Sequence, residues 1–361
     1  MNVAAITTIA GLEVRQRIRS TRWKWTLAIL FALISLLILG SLFLTVGVVG
    51  VPYRDWARYL YDLTLGIVLF LGLAAAPTMS ATSINGDRRD ATLALVQATP
   101  ITSVELTVGK LLGSWLASLV LIGVALPYLL WGLFQGPMSI VAGVLGIVVT
   151  ALLLAAYCAI GLGFSAITSR PAASAMLTQA TVLTLLIGLP IVFGMTVPLV
   201  TQKHEVREPQ TVFAPGEPVT LGSARSCDDA PREQSFLHTE WTWWLLLPNP
   251  LLVVGDAVSS GVYLDAARRV NGGASLGGEA LSMARAGPNI TDHTCAEQTA
   301  QGDDWYSLRR AADARHEMRY IGHSWYLGLL VNLALGGIGL WVASRRLRVP
   351  AQRLSRGVRV A

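Results

Sequence analysis

The chain has 361 residues, of which 53% are hydrophobic and only 14% carry a charge. An ordinary soluble domain carries roughly 25% charged residues, and here whole windows such as 25–50 and 139–163 contain no Asp, Glu, Lys or Arg. A helix needs about 20 apolar residues to cross the hydrocarbon core of a bilayer. The composition therefore excludes a soluble protein and predicts an all-α membrane protein with several spans.

Residues 1–24 predict an amphipathic helix in the membrane interface. Ile6, Ile9 and Leu12 recur near helical spacing, and five basic residues crowd the end of the segment. A disordered basic tail is the alternative interpretation. In either case the basic residues keep the start of the next segment on the cytoplasmic side.

Charge-poor stretches predict six transmembrane helices, five of them within residues 25–200. The predicted spans are 25–48, 63–83, 111–134, 139–168, 175–199 and 325–345. Arginines follow the sixth span in the basic tail 346–361, as they precede the first span. The positive-inside rule therefore places both termini in the cytoplasm.

A hydrophilic block, residues 201–324, separates the fifth and sixth spans. It has 16 acidic and 11 basic residues, whereas the rest of the chain has 6 acidic and 17 basic residues, so the same rule predicts an extracytoplasmic domain. An apolar stretch near 240–258 interrupts the block. Its three tryptophans and its Pro-Asn-Pro break favour a re-entrant hairpin, because a seventh span would carry the Arg-rich tail outside.

Two of the three cysteines, Cys227 and Cys295, lie in this block. An oxidising compartment favours a disulfide between them over two free thiols. The third, Cys158, falls in the fourth span and is interpreted as a small packing residue. The five histidines show no metal-binding spacing, so we predict no metal site.

The sequence lacks the usual signatures of catalysis and of nucleotide binding. It contains no phosphate-binding loop, no nucleophile elbow and no charged residue in the middle of a span. We find no interleaved basic–aromatic patches of the kind that binds nucleic acid, and the basic pI is interpreted as a topology signal. We therefore expect no enzyme activity and no cofactor on this chain.

A patterned polar segment, residues 84–110, connects the second and third spans in the cytoplasm. Asp87 or Asp90 suits the start of a short helix, and Thr99 with Pro100 suits its end. Glu105 follows three residues after a threonine, which is the spacing of a capping box and predicts a new helix start. A helix held along the membrane offers a contact surface to a soluble partner, whereas an ordinary polar loop is the alternative.

This segment resembles the cytoplasmic coupling stretch of ABC-2 type transporter permeases. The matching residues are Asp87, Arg88, Thr92, Leu93, Leu95, Thr99, Pro100, Thr102, Glu105, Gly109 and Lys110. Ala91 stands where the family usually has Gly, and Val96-Gln97 replaces a Leu-Leu pair. The interfacial helix, the six spans, the coupling helix and the extracytoplasmic domain between spans five and six also agree with that family.

The resemblance implies a permease subunit of an ABC exporter in a bacterial plasma membrane. Such a subunit pairs with a second permease chain, as a homodimer or heterodimer, and moves an amphipathic, lipid-like or drug-like substrate outwards near spans two and five. ATP and Mg²⁺ belong to a separate ABC ATPase subunit, and membrane lipid is the further partner. The residues implied in ATPase coupling are Asp87, Arg88, Arg89, Asp90, Thr92, Leu93, Leu95, Thr99, Pro100 and Glu105.

Two other functions stay open at this point. The chain could transport nothing and transmit ATPase motion to its extracytoplasmic domain, which the size of that domain favours. Alternatively, the domain could hold an enzyme that uses His204, His293 or His316.

Overall fold

The structure is a computed structural model, which describes residues 2–89, 101–213, 225–261, 263–264, 270–271 and 275–348. Within these residues, six helices are long and apolar enough to cross a membrane, which confirms the predicted all-α membrane class. They are Trp23–Val48, Leu60–Arg89, Ser103–Gln135, Ile140–Ile167, Pro171–Leu199 and Trp325–Arg346.

The helices and strands follow one another in this order. The helices are α1 (Val3–Arg19), α2 (Thr21–Leu42), α3 (Tyr53–Ala57), α4 (Leu60–Ala81), α5 (Ser83–Arg89), α6 (Ser103–Gln135), α7 (Ile140–Ile167), α8 (Pro171–Leu183), α9 (Leu189–Thr196), α10 (Pro250–Val258), α11 (Leu276–Ala286), α12 (Cys295–Gln301), α13 (Trp305–Glu317) and α14 (Trp325–Arg346). The strands are β1 (Thr201–Val206), β2 (Gln210–Phe213), β3 (Arg225–Asp228), β4 (Arg232–Leu237), β5 (Tyr263–Leu264) and β6 (Val270–Asn271).

Local signals set several helix ends. The Ser139 hydroxyl accepts a hydrogen bond from the backbone of Ala142 and so caps the start of α7. Pro171 occupies the first turn of α8, where its missing N–H costs nothing. Further along the fifth span a π-helical turn, Thr184–Gly188, precedes Pro190 and separates α8 from α9. Proline cannot donate to the helical ladder, so an irregular turn beside it is expected.

The core of the bundle lies between α4, α6 and α7, with α14 packed on α7. Fully buried side chains such as Tyr61, Leu69 and Tyr157 fill it. Helices α7 and α14 touch through glycine: a Cβ added to Gly163 would lie 2.8 Å from the Cα of Gly339. Small residues allow this close approach, which drives helix association in lipid.

The bundle has two distinct ends. At the first, buried side chains of α5, α6, α7 and α14 form one cluster, with Ile84 and Leu106 among its members, and α1 packs on the start of α6. We call it the α1 end. The opposite end, which we call the ribbon end, carries β1–β4 and α10–α13.

At the ribbon end, β1 pairs with β4 and β2 pairs with β3, each antiparallel. A disulfide joins Cys227 in β3 to Cys295 in α12, with 5.9 Å between the Cα atoms. The helix of the predicted hairpin, α10, has 9 residues. At 1.5 Å per residue it is about 14 Å long, less than half of the hydrocarbon core. Asp256 of α10 accepts hydrogen bonds from the backbones of Gly322, Ser324 and Trp325, and so connects α10 to the start of α14.

Candidate functional site

The predicted coupling segment is attached to the bundle by α5 on one side and α6 on the other. Six of its predicted residues lie outside the described part of the chain: Asp90, Thr92, Leu93, Leu95, Thr99 and Pro100. The other four are described. Asp87, Arg88 and Arg89 form the end of α5, and Glu105 lies in the first turn of α6.

Lys110 lies at the centre of these attachments. Its Nζ atom is 2.6 Å from a carboxylate oxygen of Asp87 and 2.9 Å from one of Glu13, and it donates to the Ser83 hydroxyl at 3.1 Å. The lysine side chain is 5% exposed. An ammonium is stable in such a position only when it is paired and hydrogen-bonded. Because Glu13 belongs to α1 and Asp87 to α5, this one cation joins three helices.

Helix α1 lies directly on the backbone of α6. A Cβ added to Gly109 would be 2.8 Å from the Cβ of Ile9, and one added to Gly113 would be 2.6 Å from the Cβ of Glu13. Gly109 and Gly113 are four residues apart and therefore on one face of the helix. This small-residue face lets α1 approach closely enough for Glu13 to reach Lys110.

Glu105 forms the predicted capping box at the start of α6. Its carboxylate accepts from the backbone N–H of Thr102 at 2.9 Å, and the Thr102 hydroxyl accepts from the backbone of Glu105 at 3.3 Å. The second carboxylate oxygen accepts from the backbone of Asn2. Glu105 is buried, so it fixes the contact between α6 and the start of α1.

Helix α5 is capped by a side chain from another span. The Ser165 hydroxyl of α7 accepts from the backbone N–H groups of Ile84 and Asn85 at 3.1 and 3.2 Å. These belong to the first turn of α5, whose N–H groups have no partner within the helix. Asn85 also donates to the Thr168 hydroxyl at 3.0 Å. Arg88 and Arg89, at the other end of α5, are exposed next to the coupling segment.

The site therefore contains residues that the sequence did not single out. Lys110 belongs to the matched motif, yet its burial between two carboxylates follows only from the packing. Glu13 is 97 positions away in the chain, and nothing in its neighbourhood indicates the pair. The Gly109–Gly113 spacing was the one available signal for the α1 contact.

The three histidines proposed for an enzyme have separate surroundings. His204 pairs with His238, with 2.9 Å between their Nε2 atoms. His293 lies against Trp305, and His316 contacts the carbonyl oxygens of residues 286 and 287. Among the described residues, no group of three or more His, Cys, Asp or Glu side chains could hold a metal ion.

A bundle of six apolar helices, with a polar segment between the second and third, defines a multi-span membrane protein. A family model described as ABC-2 family transporter protein matches residues 7–255, from within α1 to within α10. This is more than half of the chain, and the chain therefore belongs to the ABC-2 transporter family. A comparison with curated proteins finds no match.

Proposed function

We propose that the chain is the transmembrane permease subunit of an ATP-driven exporter. A separate ABC ATPase subunit would dock on residues 87–99 and would bind the ATP and Mg²⁺. The observation that carries this proposal is the Lys110 junction, because it ties both attachments of the coupling segment to the bundle. A segment held at both ends can transmit a push, whereas a loose loop would absorb it.

The force would follow two routes from the coupling segment. On one side, α5 is held to α7 by Ser165. On the other, α6 is held to α1 by the Gly109–Gly113 face and by Glu13. ATP binding to the ATPase would shift the bundle only if the two conformations of the permease bind the ATPase with different affinity. The contacts at both attachments would pass such a difference on to the spans, because a displacement of α5 or of the start of α6 would also displace the helices packed against them.

We place the α1 end in the cytoplasm and the ribbon end outside a bacterial plasma membrane. Arg345, Arg346 and Arg348 lie at the α1 end, as the positive-inside rule requires. The Cys227–Cys295 disulfide at the ribbon end suits an oxidising compartment.

A second permease chain would cover α8 and α9. Only 6% of the apolar window of this fifth span is buried, against 50% for the second span. The two spans meet at Gln179, whose amide donates to the carbonyl oxygen of Ala74 at 2.7 Å, near the carbonyl that Pro77 leaves without a helical donor. We place the substrate path beside this contact. Its apolar surroundings favour an amphipathic, lipid-like or drug-like substrate.

The test uses the intact permease co-expressed with its ATPase. Arg88 and Arg89 are exposed and neither contacts Lys110 in the ion pairs of the junction, so Arg88→Ala/Arg89→Ala removes two charges and leaves Glu13, Asp87 and Lys110 in place, at the loss of a 3.4 Å hydrogen bond from Arg88 to the carbonyl of Ala166. We expect capture of the ATPase to fall by about tenfold or more, since a hydrogen bond to a charged group contributes roughly 1.5–3 kcal/mol. The matched control is Arg54→Ala/Arg58→Ala at the ribbon end. Unchanged capture and unchanged ATP turnover in the Arg88/Arg89 variant would contradict the coupling role.

One observation also favours the non-transporting alternative. Asp256 links α10 to the start of α14, so a movement of the sixth span would reach the ribbon end directly. ATP-dependent uptake of substrate into inside-out vesicles, where export points into the lumen, separates the two functions. Substrate movement that requires ATP identifies an exporter, whereas ATP-dependent changes at the ribbon end without any substrate movement identify a transmitting module.

A further inference from the structure

A groove of about 200 Å³ opens between α7, α8 and α14, in the half of the bundle nearest the α1 end. Its walls include Ile160, Phe164 and Ile167 from α7, and Leu335, Ile338 and Val342 from α14. Thr181 of α8 closes the third side, and its hydroxyl donates to the carbonyl of Leu177 at 3.0 Å. The groove therefore presents an apolar surface, because the Thr181 hydroxyl already donates its hydrogen bond within α8.

The close contact between α7 and α14 lies between the two walls of the groove. Gly163 and Gly339 bring the two backbones together, and both residues also line the groove. A Cβ at either position would meet the backbone of the other helix, so these glycines allow the contact while larger side chains on each helix form the walls. The wall on α14 runs from 335 to 342, which at 1.5 Å per residue is about 10 Å. A groove of this length and polarity fits a segment of one lipid acyl chain.

An acyl chain gains little from such a groove by itself. Lipid tails are as apolar as leucine, so moving a chain from the bilayer into the groove has almost no hydrophobic driving force. Any selective binding must come from the head group at the mouth of the groove. The residues at that mouth therefore decide which lipid is bound.

Arginines stand at the mouth on both sides. Leu335, Ile338 and Val342 form a stripe at helical spacing, and one turn further the same stripe reaches Arg345 and Arg346. Both arginines are exposed. The guanidinium of Arg345 lies 4.5 Å from the centre of the Trp341 ring, which restricts its side chain.

The opposite side of the mouth adds another positive charge. Arg170 is exposed and follows Ile167 by three residues. Helices α7, α8 and α14 contain no Asp or Glu, and neither does the chain from 325 to 361. These arginines therefore have no carboxylate partner on the helices that form the groove. Basic pockets between spans are suited to anionic lipid head groups.

We propose that this groove binds one anionic phospholipid of the leaflet at the α1 end. One acyl chain would lie between α7, α8 and α14, and the phosphate would contact Arg345, Arg346 and Arg170. This site is separate from the Lys110 junction and from the contact between spans two and five. This lipid would be bound whatever substrate the exporter moves.

The test measures lipid bound to the full-length chain. The chain is reconstituted in vesicles of phosphatidylcholine with 20% phosphatidylglycerol, extracted gently, and the retained lipid is quantified by mass spectrometry. One arginine near a lipid surface contributes about a fivefold preference for anionic lipid, so Arg345→Gln/Arg346→Gln should lower the phosphatidylglycerol preference by roughly 30-fold. Ile338→Trp fills the groove and should reduce retention of both lipids.

Two controls match these variants. Arg54→Gln/Arg58→Gln removes two exposed arginines at the ribbon end, and Ile29→Trp adds the same bulk to the exposed face of α2. Both should retain lipid like the wild type. Equal retention of the two lipids by the wild type would overturn the proposal, as would an unchanged preference in the arginine variant. The arginine variant alters only exposed side chains, so it remains decisive if the tryptophan variant fails to fold.

Discussion

Replacing Lys110 by methionine tests whether one buried ammonium holds the α1 end together. Methionine keeps the length and apolar stem of the side chain but removes the charge. The carboxylates of Glu13 and Asp87 then face each other without a cation, in a place where their side chains are only 19% and 30% exposed. The change therefore leaves two acidic groups close together without the ammonium they share, rather than merely deleting one contact.

The magnitude follows from this burial. Removing one partner of a buried ion pair costs about 3–5 kcal/mol, because the remaining charge is left uncompensated. Water reaches part of each carboxylate here, so we expect the lower end, about 3 kcal/mol. This corresponds to roughly a hundredfold increase in the population of chains in which α1 has left α6.

Thiol labelling measures that population. Ala10 is 5% exposed and faces α6, so Ala10→Cys should react with a maleimide only when α1 detaches. The native cysteines do not compete, because Cys158 is buried and the other two form the disulfide. We expect Lys110→Met to raise the labelling rate about a hundredfold.

A rescue variant separates charge from packing. Adding Glu13→Gln and Asp87→Asn to Lys110→Met removes the two remaining negative charges, and labelling should return most of the way to the wild-type rate. Equal labelling rates in Lys110→Met and in the wild type would show that the ammonium does not hold α1. A triple variant that labels as fast as the single variant would show that charge is not the cause.

Three further predictions concern other contacts of the bundle. Gly113→Leu should lower the free energy of unfolding, measured by chemical denaturation, by about 1–3 kcal/mol, because a Cβ at this position would lie 2.6 Å from α1. The control Gly123→Leu, on the same helix, meets open space and should change the free energy of unfolding little. Gln179→Leu should lower the free energy of unfolding by about 1 kcal/mol and raise substrate leak in vesicles, because a carbonyl of α4 loses its donor. An unchanged leak would show that this contact does not line the substrate path. Hydrogen bonds from Gln234 and Arg309 hold the pKa of the Glu208 carboxyl below its usual range, so this stabilisation is present above the ordinary glutamate pKa and is lost as the pH falls through the lowered pKa. Acid titration of thermal stability should therefore show a low-pH loss that Glu208→Gln reduces, and identical acid profiles would contradict the assignment.

The sequence by itself determined the spans and the capping box of this protein. Apolar length is a local property, so the six stretches were visible without any knowledge of their packing. The capping box of Thr102 and Glu105 was equally local, because its hydrogen bonds span only three residues. The same apolar pattern placed the third span at 111, however, whereas α6 begins at Ser103. Hydropathy overlooks the first two turns, which are polar and lie under α1.

Only the tertiary structure decided which residues meet at the α1 end. Glu13 reaches Lys110 because two glycines let α1 lie on the backbone of α6. Ser165 caps α5 because α7 ends beside it. Such contacts depend on how each helix is rotated about its axis and where it crosses its neighbour, and those are set by the packing of the whole bundle. A lysine near the end of an apolar helix looks the same in the sequence whether it faces water or two carboxylates, and the difference arises only when three helices close around it.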